Sequence, residues 1–152
     1  MTAPYDSPIP FVAERIHAAA VYCSDGRVGE AFDDFLTHGL HLPRYDRVAV
    51  PGGPACLAGY PEARLEEQGV LDELKFLVDA HELDRVVLIQ HAGCAFYGQR
   101  LGVPEDRKPS LQAADLVRAA HFVRKATSLT RIEGWIAQIS GKQITFVPVP
   151  VD

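Results

Sequence analysis

The chain has 152 residues, the length of one domain, and its 47% hydrophobic and 23% charged content can bury a sizeable core. A net charge of -5, with acidic residues among scattered arginines, argues against nucleic acid as a partner, because phosphate binding needs clustered Lys and Arg. The opening MTAPYDSPIP lacks the charged and apolar regions of a signal peptide, and no apolar run approaches the roughly 20 residues that span a bilayer, so no membrane partner and a cytoplasmic chain are expected.

The first apolar run, residues 17–22 (HAAAVY), reads as a short buried strand ending at Cys23-Ser24-Asp25-Gly26-Arg27. Residues 28–36 place Val28, Ala31, Phe32, Phe35 and Leu36 near helical spacing, with Gly39 as a stop. A second strand spans about 47–50 and runs into Pro51-Gly52-Gly53-Pro54. A long helix follows over about 62–81, with Leu71, Leu74 and Val78 on one face. The third strand, residues 85–90 (RVVLIQ), is a continuous apolar run of the kind buried on both sides in a parallel sheet, and it ends at His91-Ala92-Gly93-Cys94. Ser110 can cap a helix reaching about residue 125. Ile132, Trp135, Ile136 and Ile139 form an i, i+3, i+4, i+7 stripe that predicts another helix, ended by Gly141. Residues 144–149 predict a final strand near an edge, since Pro148 and Pro150 exclude a central position.

There is no internal repeat, low-complexity segment or linker, so residues 1–152 are expected to form a single domain. Alternating strands and helices predict an α/β fold: a parallel sheet of about four strands with helices on both faces. In such sheets ligands bind at the carboxyl ends of the strands where the order reverses. If the order is 2-1-3-4, the reversal falls between strands one and three, where CSDGR and HAGC lie.

Cys23, His91 and Cys94 offer two thiolates and one imidazole, a set that favours zinc. Three protein ligands leave a fourth position for water, as catalytic zinc sites do. The third cysteine, Cys56, sits in an apolar stretch without a nearby histidine and reads as a buried structural residue; three cysteines are in any case too few for a disulfide framework. If the segment after the first strand is extended, Cys23, Asp25 and Arg27 face one side. Arg27 would then hold Asp25 ionised, and Asp25 could accept a hydrogen bond from a zinc-bound water. The alternative for these two residues is an ordinary surface turn.

These residues resemble the β-class carbonic anhydrases, which carry C-x-D-x-R after the first strand and H-x-x-C after the third. The resemblance runs from about His17 to Val149, and the paired motifs on these elements are far more specific than either alone. It implies Cys23, His91 and Cys94 as zinc ligands and Asp25 and Arg27 as the catalytic dyad. It implies reversible hydration of carbon dioxide to bicarbonate by a zinc-bound hydroxide, with Zn²⁺ as cofactor. It further implies a homodimer or higher homo-oligomer, with pockets near the subunit interface for which Phe32, Phe35, Phe96 and Tyr97 are candidate apolar walls. Some family members hold a closed state in which the dyad aspartate ligates zinc. The departures are Val50-Pro51-Gly52-Gly53-Pro54-Ala55 in place of the usual segment after strand two, Ala95 where glycine is common, and short ends.

Two alternatives keep the site: a zinc hydrolase of carbonyl sulfide or carbon disulfide, motivated by the altered loop at Pro51, and a zinc-binding module without turnover. Other chemistries fit poorly. Three residues separate Cys23 from Arg27 where a cysteine phosphatase loop has five, no CxxC exists, and the PGGP segment lacks the lysine and hydroxyl of a phosphate-binding loop.

Overall fold

In a computed structural model describing residues Met1–Asp152, two fully buried runs form the middle of the sheet: β1 (Ala18–Cys23) and β3 (Arg85–His91). The other elements are α1 (Gly29–Asp34), β2 (Asp46–Val50), α2 (Arg64–His81), α3 (Lys108–Thr127), β4 (Ile132–Ser140) and β5 (Gln143–Val149). The sheet has five strands in the order β2-β1-β3-β4-β5, parallel except for the antiparallel β4–β5 pair. The order reverses between β1 and β3, as the sequence reading requires.

Helices cover both faces. On β4 the slot at Gly134 faces Leu116 of α3, whereas the adjacent Trp135, on the opposite face of the pleat, meets Phe35 just beyond α1 at 4.9 Å between ring centroids. Leu74 and Val78 of α2 are buried as expected, with Val70 as their partner, while Leu71 is half-buried at the margin. At the amino ends of the strands, the buried Arg85 donates to Glu133 at 2.6 and 2.9 Å, which pairs a charge that would otherwise be costly to bury.

The largest correction concerns residues 132–139, which form strand β4 and not a helix. The stripe Ile132, Trp135, Ile136, Ile139 contains both strand parities, so a strand with apolar residues on both faces produces the same pattern as an amphipathic helix. Pairing decides between them. Ser140 pairs with Gln143 across a two-residue turn, and six further pairs run down to Gly134 and Val149. Gly141 is therefore a hairpin residue at φ 59 and not a helix stop. The terminal strand is accordingly the fifth, at the edge and antiparallel, which is where Pro148 is tolerated. A smaller correction concerns Ser110: α3 begins at Lys108, and the Ser110 hydroxyl donates to the Arg107 carbonyl instead of capping the helix.

Candidate metal centre

Cys23 is the last residue of β1 and His91 the last of β3; Cys94 follows a turn in which Gly93 takes φ 70. Their ligand atoms lie within 4.8 Å of one another, and all three side chains are buried. His91 Nδ1 is 2.8 Å from the Ala92 carbonyl, so Nδ1 carries a proton donated to that oxygen and Nε2 is left as the lone pair. Nε2 is buried and has no hydrogen-bond partner. A buried, unpartnered imidazole nitrogen beside two thiols is what a soft or borderline cation would satisfy. The three residues could therefore hold a metal ion.

Supporting groups fix two of the donors, His91 and Cys23. Gln112 of α3 donates to the His91 carbonyl at 2.8 Å and so anchors the end of β3. The Gly52 amide donates to Cys23 Sγ at 3.4 Å. That contact exists because Gly52 and Gly53 adopt φ 83 and φ 52, and because no Cβ stands between Gly53 and the β1 backbone. The PGGP departure thus belongs to the packing against Cys23. Ala95 departs without consequence for the backbone, since its φ of -63 needs no glycine.

The electrostatics of the thiols are asymmetric. The hydrogen bond with Cys94 holds the Cys23 thiol well below its ordinary value against the opposing effect of burial, and His91 and the Gly52 and Asp25 amides act in the same direction. Cys94 is pushed up, first by its hydrogen bond to Cys23 and then by burial. Burial pulls His91 down, but the adjacent Cys23 sulfur and the hydrogen bond to the Ala92 carbonyl outweigh it and the net shift is upward. Cys56 is fully buried away from this cluster, and burial raises its thiol to about 12, as expected of a structural cysteine.

Asp25 and Arg27 come together, but through a turn and not an extended segment. β1 ends at Cys23, and the Val28 amide closes a turn onto the Asp25 carbonyl at 3.2 Å. The Arg27 amide bonds Asp25 Oδ1 at 2.9 Å, while its guanidinium reaches Oδ1 through Nε at 3.0 Å and Oδ2 through Nη2 at 2.7 Å. The hydrogen bonds from Arg27 hold the Asp25 carboxyl at about 2. The pair thus sits in a surface turn, with the carboxylate held on both oxygens by the guanidinium.

A cleft of about 510 Å³ opens beside this cluster. Its walls are the turn at 25–28, the turn at 91–93, and the β4–β5 hairpin through Ile139, Lys142 and Ile144. The four aromatic candidates are not among its walls. Phe32, Phe96 and Tyr97 are buried in the core, and Phe35 stacks on Phe146 at 4.1 Å. The hairpin wall is the part of the site that sequence reasoning missed. The signal that could have found it is Gly141-Lys142, a two-residue turn between apolar runs.

A family model described as "Putative carbonic anhydrase" matches residues 13–145. No curated protein matches the chain significantly. Among solved structures, the chain is similar to β-carbonic anhydrase isoform I of the protozoan Trichomonas vaginalis, at 13% identity and TM-score 0.58, covering 95% of this chain and 88% of that one. It is also similar to a β-carbonic anhydrase of the fungal pathogen Aspergillus fumigatus, at 16% identity and TM-score 0.49, covering 88% and 76%. A tetrameric β-carbonic anhydrase of the filamentous ascomycete Sordaria macrospora follows at 12% identity and TM-score 0.48, covering 89% and 82%. At these identities, the likeness to the Trichomonas enzyme establishes the fold.

Proposed function

The chain belongs to the carbonic anhydrase family whose model spans residues 13–145, and on that premise we propose that it binds one zinc ion through Cys23, His91 and Cys94 and catalyses the reversible hydration of carbon dioxide to bicarbonate. The observation that carries this reading is the buried cluster with its unpartnered His91 Nε2, lying against a cleft that also contains the Asp25–Arg27 pair. When bound, zinc supplies Lewis acidity and brings the pKa of a coordinated water to about 7.

The chain's own residues do the rest. Cys23 and Cys94 as thiolates balance the charge of a divalent cation, and the Gly52 amide orients Cys23. The Ala92 carbonyl fixes the His91 tautomer that leaves Nε2 free. Arg27 engages both Asp25 oxygens, so Asp25 at neutral pH is a carboxylate that accepts and orients a proton and does not donate one. Val28, Ile139 and Ile144 give the cleft apolar walls suited to a small uncharged substrate. The altered loop at Pro51 that motivated the sulfur substrates is not among the cleft walls, so no observation favours them. We further take the protein to be a single-domain homodimer or higher homo-oligomer of the reducing cytoplasm, where its thiols stay available. No helix is long and apolar enough to cross a membrane.

Stopped-flow hydration of carbon dioxide by the zinc-loaded protein tests the proposal. The expected result is about one zinc per chain, turnover that rises with pH, and loss of both in Cys94→Ser but not in Cys56→Ser. A protein that holds zinc yet hydrates carbon dioxide no faster than buffer would refute it, and sulfide release from carbonyl sulfide would then identify the hydrolase alternative.

A further inference from the structure

One charged residue stands alone on the wall that the sequence reading missed. From residue 134 to residue 151 the chain carries no Asp, Glu or Arg, and Lys142 is the single charged side chain. The fold places it at the tip of the β4–β5 hairpin, where it lines the cleft with Asp25, Arg27 and His91. The tip is stiff. Ser140 and Gln143 pair directly, and Gly141 at φ 59 supplies the positive dihedral that a two-residue hairpin turn requires at its first central position. Lys142 is thus carried on a seven-pair ladder and not on a floppy loop.

The charges around the cleft point the same way. Asp25 is the one acidic side chain in its lining and is neutralised by Arg27, whose guanidinium engages both carboxylate oxygens. Lys142 takes part in no ion pair, so the lining carries a net charge of +1 (Arg27 and Lys142 against Asp25) in a molecule of net charge -5. A local excess of one sign at the mouth of a low-dielectric cleft concentrates the opposite ion. An uncharged reactant gains nothing from such a cation, whereas an anionic one does.

We propose that Lys142 is the anion-recognition residue of this cleft, drawing in and holding a small monoanion such as bicarbonate beside Arg27. The inference rests on the proposed function for the identity of that anion. It assigns the hairpin a task separate from metal binding: the turns at 25–28 and 91–93 bear the residues proposed for chemistry, and the hairpin tip distinguishes the charged partner of the reaction from the uncharged one.

The test is calorimetric titration of the zinc-loaded protein with thiocyanate, an inert monoanion, at low salt, in the wild type and in Lys142→Gln, Lys142→Glu and Lys142→Arg. Lys142 is exposed, so these variants are expected to fold normally. The expected Kd rises about fivefold in Lys142→Gln, the upper range for one exposed charge pair, and further in Lys142→Glu, while Lys142→Arg stays near the wild type. Added salt should weaken wild-type binding more than that of Lys142→Gln. An unchanged Kd in Lys142→Gln, or a wild type that binds no thiocyanate, overturns the proposal even if carbon dioxide is hydrated. Loss of affinity in Lys142→Gln without any carbon dioxide hydration leaves the anion site standing and overturns the proposed reaction instead.

Discussion

Substituting Gly53 with alanine probes how the PGGP loop holds the carboxyl end of β1. Two costs add at this position. Gly53 has φ 52, and an L-residue in that left-handed region costs about 1–2 kcal/mol. An alanine Cβ would also lie 2.7 Å from both the Cys23 nitrogen and the Tyr22 carbonyl carbon, which are backbone atoms of a fully buried strand. Forcing that contact adds about 1–3 kcal/mol of overpacking, for a total of about 2–5 kcal/mol. Gly102 is the control, because it has φ 65 but an alanine Cβ there would meet no heavy atom within 4 Å. Gly102→Ala therefore meets the dihedral cost alone, about 1–2 kcal/mol. Urea and thermal unfolding of both variants should put Gly53→Ala below Gly102→Ala by about 1–3 kcal/mol, or very roughly 2–12 °C in Tm. Because the clash falls on the Cys23 backbone, zinc affinity should fall in Gly53→Ala and hold in Gly102→Ala. Equal losses of stability in the two variants would mean that the loop is not wedged against β1, and the reasoning would fail.

The remaining predictions concern the buried titratable groups. The Cys56 thiol is raised by burial from 9.0 to about 12, and burial also raises Tyr60 and Tyr97 above their ordinary 10.0. A group that keeps its proton more tightly when folded contributes stability fully below its unfolded pKa and loses it as pH rises toward the folded value. In the zinc-loaded protein, where Cys23 and Cys94 are held as ligands, the urea midpoint should hold to about pH 9 and fall above it, with the onset moved toward pH 10 in Cys56→Ala; a midpoint flat to pH 11 would contradict this. Asp115 is fully buried and accepts from Tyr60 and Tyr97 at 2.7 Å each and from Arg118 at 2.7 Å. Asp115→Ala strands two tyrosine hydroxyls while the half-exposed Arg118 rehydrates, so the expected loss is about 2–4 kcal/mol by chemical denaturation. A loss below about 1 kcal/mol would show that water replaces the carboxylate.

The resemblance to a known family was legible because it rests on local facts. The two continuous apolar runs that became β1 and β3 are buried on every side, and a strand of that kind is written in consecutive residues. The CSDGR and HAGC motifs follow those runs directly, so placing the strands placed Cys23, His91 and Cys94 at neighbouring ends of the sheet. Residues 132–139 were not legible in that way. Their apolar positions satisfy helical and strand geometry alike, and the choice was made by a partner strand across the turn at Gly141. The same holds for Gly52 and Gly53, whose conformation matters for what packs against it. What the sequence by itself determined was the Cys-His-Cys set and the strand ends that present it. What only the tertiary structure decided was the hairpin wall with Lys142, because which segments face one cleft is a property of long-range pairing that no local periodicity encodes.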